Sequence, residues 1–224
     1  EKMASIGTLA RGVAHEFNNL MGGIRGCTAE ALAAEKSEDH RELLQVILRA
    51  ADRAAEITSK LLRFSKQEAL RPAHVDIKKV MNEALLLIEP DARKRNVTIL
   101  RKFEETPEVW ADSSALHQVL LNLYTNALQA MPEGGELVVE TDLNEDALLI
   151  RVGDTGVGIP QDQIDHIFEP FFTTKAQKSD PFSKGTGLGL SVSYSLIDAH
   201  GGRIDVRSQI DVGTVFTITL PFSS

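Results

Sequence analysis

"DSSALHQVLLNLYTNALQAMPEGG", residues 112–135, is the stretch on which the fold of the longer part of the chain turns. Its Leu, Val and Ala residues read as one long helix, with Asp112 or Ser113 available as N-cap and "PEGG" as the stop. Directly afterwards the hydrophobic period drops from helical to twofold. Leu137, Val139 and Thr141 line one face of a strand, and Leu148, Ile150 and Val152 one face of the next, across the turn "NED". Further on, Ile204 and Val206 alternate with Arg203, Asp205 and Arg207, and Phe216, Ile218 and Leu220 alternate with Val215, Thr217 and Thr219. Upstream, "VDIKKVMNEALLLIEPDARKRN" reads as a short strand and an amphipathic helix, and "VTILRKF" and "EVWA" as strands. Strands in hairpins with helices between them predict an α/β sandwich, a mixed sheet covered by helices, over residues 72–224.

Residues 1–71 carry a different period. Met3, Ile6, Ala10, Val13, Phe17, Leu20, Ile24, Cys27, Ala31 and Ala34 follow one another at alternating threes and fours, the seam of a bundle helix. After "EKSED" the pattern returns as Leu43, Ile47, Ala50, Ala54, Ile57, Leu61 and Phe64, with Asp39 and Glu42 as a capping box. A short connection makes the two an antiparallel hairpin. Leu44, Ala51 and Leu62 widen its apolar face, so the economical solution is a homodimer whose two hairpins form a four-helix bundle. The alternative is a hairpin packed on the rest of its own chain. The fold class expected for the whole is therefore α+β: a dimerising helical hairpin, 1–71, followed by the sandwich, 72–224.

Composition narrows the field. With 42% apolar and 25% charged residues the chain is of globular type. No apolar run approaches the length of a membrane span, so no membrane segment is expected within it. The single Cys27 excludes an internal disulfide framework and suits a reducing compartment. Lys+Arg against Asp+Glu is 11 to 10 in residues 1–71 but 13 to 22 in 72–224. An acidic second part disfavours nucleic acid as a partner.

Five stretches ask for a chemical reading. "VAHEFNN", 13–19, puts His15 at heptad position f, furthest from the seam, with Glu16 beside it and Asn19 one turn on. Such a histidine is ordinarily just hydrated; here it is also presented outward on a rigid support. Gly22 and Gly23 just beyond it predict a bend or a close helix contact. In the long helix, Asn122 and Asn126 lie at i and i+4, either as satisfied amides or as oxygen ligands for Mg²⁺. "DTGVGIP", 154–160, follows a strand; its glycines allow close backbone approach, and Asp154 can accept a hydrogen bond from an amino group. "FEPFFTTK", 168–175, reads as buried anchors for a mobile loop or as part of a site. "GTGLGL", 185–190, opens a helix that ends at "GG", and glycine at a helix start frees amides for phosphate.

In this order the five stretches resemble the catalytic core of a bacterial sensor histidine kinase, across essentially the whole chain. The resemblance implies a dimerisation and histidine-phosphotransfer domain followed by an ATP-binding domain of the fold shared with gyrase and Hsp90. It makes His15 the phosphoacceptor, Glu16 the acid that orients it and takes its proton, and Asn19 the amide that positions water to dephosphorylate a partner. It makes Asn126 the Mg²⁺ ligand with Asn122 on the same face, and Asp154 the reader of the adenine amino group, with Gly156 and Gly158 shaping that wall. Phe168, Lys175, Gly185, Thr186, Gly187, Leu188 and Gly189 are implied around ATP, with "AQKSDPFSK" as a lid. Many relatives have proline where this chain has Leu20, and the Gly22–Gly23 pair is expected to supply the bend instead. The implied partners are a second copy and the receiver domain of a response regulator, and the implied compartment is the cytoplasm. The heptad phase already running at Met3 predicts a helix continuing upstream, toward a sensor or membrane anchor, and the aspartate acceptor is expected on another protein.

Two alternatives accompany this. ATPases of the same fold carry a glutamate one turn before the Mg²⁺ asparagine as general base for water; here that place is Asn122, which cannot accept the proton. A dimeric nucleotide-binding scaffold without phosphotransfer would be expected to lack one of the residues named above.

Overall fold

The twofold alternation after residue 135 is realised as a five-stranded sheet in the computed structural model, which describes residues 21–28, 44–48, 50, 51, 54, 70–173 and 187–222. The elements run β1 (Ala73–Val75), α1 (Ile77–Lys94), β2 (Val97–Phe103), β3 (Val109–Ala111), α2 (Ser113–Ala130), β4 (Gly135–Leu143), β5 (Ala147–Asp154), a 3-10 helix (Gln161–His166), α3 (Gly189–Asp198), β6 (Arg203–Gln209) and β7 (Gly213–Pro221). The chain falls into two compact units, Glu1–Glu68 with Pro170–Leu188, and Ala69–Glu169 with Gly189–Ser224.

In the larger unit the strand order is β2-β4-β5-β7-β6, with β2 parallel to β4 and every other pair antiparallel. The sheet is mixed, as the pattern predicts. Its inner face carries Leu137, Val139, Leu148, Ile150, Val152, Phe216 and Ile218, all buried, and α2 lies against it with Leu116, Val119, Leu120 and Leu123 equally buried. Among the described residues no helix covers the outer face. There the register places Lys102, Glu140, Arg151, Thr217 and Asp205 in one row across all five strands. Lys102 bonds Glu140 at 2.9 Å, Arg151 bonds Asp142 at 2.8 Å, and Arg203 bonds Asp205 at 2.7 Å. Opposite charges set across neighbouring strands suit a face that stays wet.

The short strand ahead of α1 does not join this sheet. β1 pairs antiparallel with β3, Ala73 opposite Ala111 and His74 opposite Trp110, in a separate two-stranded ladder. Asp76 then starts α1 by accepting the Lys79 N–H at 3.2 Å.

In the smaller unit, residues 21–28 and 44–48 are helical, and Ile24 packs on buried Ala50 and Ala54. All three are seam positions, so the apolar stripes of the two helices meet as heptad spacing requires. Helix continues unbroken through Gly22 and Gly23, and a Cβ at Gly22 would meet open space within the chain. The bend or close contact expected just past His15 involves residues before 21 and so lies outside the described residues. Among the described residues, no helix is long and apolar enough to cross a membrane.

Of the two N-cap candidates for α2 the chain uses Asp112. One carboxylate oxygen accepts the N–H groups of Ser114 and Ala115, at 2.9 and 3.1 Å, and the other accepts the Arg71 N–H at 2.8 Å. Partial burial pushes this carboxyl up, but the backbone donors, Arg71 first, outweigh burial and hold it below its ordinary range. A depressed folded pKa contributes stability above the unfolded value, near ~3.9, that is lost as pH falls through the folded one. Asp112→Ala should therefore cost about 1–2 kcal/mol in urea unfolding at pH 7, and its deficit against wild type should shrink as the pH is taken toward ~3. A deficit independent of pH would contradict the capping role.

Candidate functional site

Asp154 ends β5, and the alternation that buries Ile150 and Val152 turns its carboxylate to the same inner face. The carboxylate accepts the Gly156 N–H at 2.9 Å, with the Thr214 backbone as second donor. Burial pushes the Asp154 carboxyl above its ordinary range, because desolvation of the charge outweighs those two bonds. A carboxylate held so, at a strand end, has acceptor capacity left for an amino group.

The loop after Asp154 is clamped from two sides. Toward α2, the Val157 N–H donates to the Ala130 carbonyl at 3.1 Å, and a Cβ on Gly156 would stand 2.6 Å from that oxygen. Toward the β6–β7 hairpin, the Asp211 N–H donates to the Val157 carbonyl at 3.0 Å and the Ile159 N–H to Ser208 Oγ at 2.8 Å. Ser208 Oγ donates to the Gly213 carbonyl at 2.9 Å, which leaves the Thr214 hydroxyl to donate to Ser208, also at 2.9 Å. Gly158 has φ +72° and Gly213 φ +132°, and a side chain on either would collide with backbone, that of Gln209 or of Asp154. Glycine is required where three segments approach this closely.

At the other end of the same α2 face, the Asn122 carboxamide donates to the Gly189 carbonyl at 3.1 Å and to Ser193 Oγ at 3.3 Å. Ser193 Oγ in turn donates to the Gly189 carbonyl at 2.9 Å. Both Asn122 donors are thus committed to the first turn of α3, where backbone N–H groups lack helical partners and the helix dipole is positive. Half-buried Asn126 stands between the two ends. Asn122, Asn126 and Ala130 occupy successive turns, so the start of α3 and the Asp154 loop are fixed about 12 Å apart along α2.

Phe168 packs its ring against Tyr194 of α3, at 5.5 Å between centroids, and against Phe216 of β7, at 6.5 Å. This is the anchor role that its sequence context also suggested. In the smaller unit, the Phe171 N–H donates to the Gly187 carbonyl at 2.9 Å, and Gly187, φ +65°, presses on the Phe171 backbone, where a side chain would not fit. Leu188 is buried. His15, Glu16, Asn19, Lys175, Gly185 and Thr186, with the 176–184 segment, lie outside the described residues.

Among the described residues no three His, Cys, Asp or Glu side chains form a metal cage. The Asn pair still fits Mg²⁺, a hard cation that takes amide oxygens singly and draws its other ligands from phosphate and water. A concavity of about 710 Å³ lies elsewhere, on the open sheet face, lined by Leu149, Arg151, Arg203, Asp205 and Thr217 among others. Of its charged residues, Arg151 pairs with Asp142 and Arg203 with Asp205. It reads as solvated sheet surface.

Sequence reasoning missed Ala130, Ser193, Ser208, Gly213 and Thr214. Gly213 follows the turn residues of a hairpin and was open to prediction as a positive-φ position. The hydroxyl contacts join residues far apart in the chain and have no local signature.

Residues 5–70 match the family model of the His Kinase A (phospho-acceptor) domain, and residues 111–224 that of the histidine kinase-, DNA gyrase B- and HSP90-like ATPase. Sensor histidine kinase ZraS of Escherichia coli K12 is 40% identical over 223 residues, 99% of this chain and 46% of that protein. Sporulation kinase E of Bacillus subtilis is 34% identical over 218 residues, 96% of this chain and 28% of that protein. The chain thus spans about half the length, or less, of these curated relatives. Among solved structures, histidine kinase ThkA in complex with the response regulator protein TrrA aligns with a TM-score of 0.82 at 27% identity, covering 100% of this chain and 64% of that one. The nucleotide-free catalytic domain of ThkA aligns with a TM-score of 0.61 at 32% identity, covering 68% of this chain and 97% of that one. With a phospho-acceptor domain followed by an ATP-binding domain of the gyrase and Hsp90 type, the chain belongs to the sensor histidine kinases.

Proposed function

We propose that this chain transfers the γ-phosphoryl group of Mg-ATP to its own His15, and from there to an aspartate in the receiver domain of a response regulator. The observation that carries this reading is the spacing on α2: a carboxylate loop and a positive helix start held about 12 Å apart along one helix face, with Asn126 between them. A nucleoside triphosphate extends over a comparable length from base to terminal phosphates. Asp154 then accepts from the adenine amino group beside Gly156 and Gly158. The start of α3 contributes its unpaired N–H groups to the phosphates, and the family resemblance assigns Lys175 and residues 185–189 to the same group. The amide oxygen of Asn126, with Asn122 on the same face, would hold Mg²⁺, which would neutralise phosphate charge.

A neutral imidazole offers one nitrogen lone pair to the γ-phosphorus. As the N–P bond forms, the P–O bond to ADP breaks, and the proton on the other ring nitrogen passes to Glu16. Slow competing hydrolysis is supported by Asn122, whose donors are committed to α3 and which cannot take a proton from water. Asn19 holds the water used when the phosphorylated regulator is dephosphorylated. The phosphotransfer domain spans 1–71 and the ATP-binding domain 72–224, and the reaction belongs to the cytoplasm, where ATP is supplied. A homodimer is supported by Leu44 and Leu48, 59% and 61% exposed at i and i+4 on the helical hairpin, an apolar stripe that a second copy would cover.

Incubation with labelled Mg-ATP should give an acid-labile, alkali-stable phosphoprotein, and His15→Gln should abolish the label; a variant that still labels would exclude His15. Asp154→Asn separates function from folding. Because burial raises this carboxyl, its ionised form costs stability at neutral pH, and wild type gains stability as pH falls through the folded pKa. The variant should melt above wild type at pH 7.5, the gap closing on acidification, while labelling falls about tenfold or more. Full labelling in this variant would sink the adenine assignment. Leu48→Asp should convert a dimer in sedimentation into a monomer.

A further inference from the structure

Helix α3 is tied to α2 at both ends, and the second tie involves none of the residues assigned above to the nucleotide. Past the last turn of α3, the Gly201 N–H donates to the Asp198 carbonyl at 2.9 Å and the Gly202 N–H to the Ile197 carbonyl at 3.0 Å, with Gly201 at φ +67°. This is the paired bonding that closes a helix through a left-handed glycine. A Cβ on Gly202 would stand 2.6 Å from the Thr219 carbonyl, so the turn sits hard on β7. His200 is thereby held in one place. Its Nδ1 donates to the Leu196 carbonyl at 2.6 Å, which leaves the lone pair on Nε2, and Nε2 accepts the Asp112 N–H at 3.0 Å.

Asp112 is the residue whose carboxylate caps α2 and accepts the Arg71 N–H. Arg71 leads into β1, whose three-residue pairing with β3 ends at Ala111, next to Asp112. A ladder of three residues is marginal by itself, so its docking depends on what anchors its ends. One residue, Asp112, thus receives the segment that enters the larger unit on one side and α3 on the other.

We propose that His200 is a positioning residue, coupling the docking of residues 71–75 to the placement of α3. Nucleotide affinity and docking of this entry segment then rise and fall together, since such coupling is reciprocal. The coupling rests on the nucleotide reading of the α3 start given above. It provides a route by which a change upstream of Arg71 alters nucleotide affinity without touching the nucleotide. The single tryptophan supplies a reporter. Trp110 of β3 is 48% exposed and stacks edge-on against His74 of β1, 5.1 Å between ring centroids, so undocking β1 removes its aromatic neighbour.

The test uses the 224-residue chain, titrated with a non-hydrolysable Mg-ATP analogue while affinity and Trp110 fluorescence are followed. Wild type should bind and change its fluorescence. His200→Ala should raise Kd about tenfold and abolish the fluorescence change, and His200→Gln, which keeps a donor and an acceptor, should restore most of both. Arg71→Pro, which removes the N–H held by Asp112, should raise Kd comparably, and adding His200→Ala to it should cost little more. Wild-type Kd and fluorescence response in His200→Ala, or full additivity in the double variant, would overturn the coupling and leave His200 a simple helix-end contact. Should His200→Ala not fold, Arg71→Pro decides alone: an unchanged Kd overturns the coupling. A wild-type chain that binds no nucleotide overturns the site reading and the coupling with it, whereas wild-type binding without these effects overturns the coupling only.

Discussion

Helix α2 can sit in only one rotational setting, and the rest of the larger unit is built on that setting. Its inner face buries Leu116, Leu120 and Leu123 over the sheet, and its other face carries Asn122 and Asn126. A rotation by one residue, about 100°, would drive a carboxamide toward the core. An unsatisfied buried amide costs about 1–3 kcal/mol, and the displaced leucine adds a similar loss. The apolar core therefore acts as a positioning device, fixing where the Asn122 amide meets α3 and where Ala130 meets the Asp154 loop. Function-bearing contacts inherit their precision from packing they take no part in.

Those contacts are made largely with backbone. Gly156 lies on the Ala130 backbone, Gly158 on that of Gln209, Gly213 on that of Asp154 and Gly202 on that of Thr219. Side-chain hydroxyls then lock the approach, Ser208 for the loop and Ser193 for the start of α3. Ser193 and Thr214 are buried, and Ser208 makes three hydrogen bonds, to Ile159, Gly213 and Thr214. Removing one of these hydroxyls would strand its partners, which is more costly than losing one neutral hydrogen bond.

The charges divide into two kinds. On the open sheet face, acids and bases neutralise one another, Lys102 with Glu140 and Arg151 with Asp142 across strands and Arg203 with Asp205 along β6, which keeps such a face soluble without conferring much stability. Asp154 is the opposite case: a carboxylate whose burial is unfavourable and only partly offset by two backbone donors. Proteins keep such a group where a ligand uses it, and the only amino-group partner suggested for it is the base of a nucleotide. Asp112 shows the favourable arrangement, with donors enough to hold its charge easily.

Much of this was written into local patterns. The change from helical to twofold period marked β4, β5 and β7 because one-sided burial imposes those periods directly on sequence, and "PEGG" and "HGG" stopped helices because only glycine turns the chain there without strain. Heptad spacing likewise anticipated Ile24 against Ala50 and Ala54. Asp154, Asn122 and Gly189 were legible as chemistry-bearing types in suggestive places. What they touch was not legible. That β1 leaves the main sheet for β3, that Asn122 spends its donors on α3, and that His200 reaches Asp112 across 88 positions of sequence are long-range pairings. No local period encodes them, because a hydrogen bond between distant residues is chosen only when the packed core has brought both partners within reach.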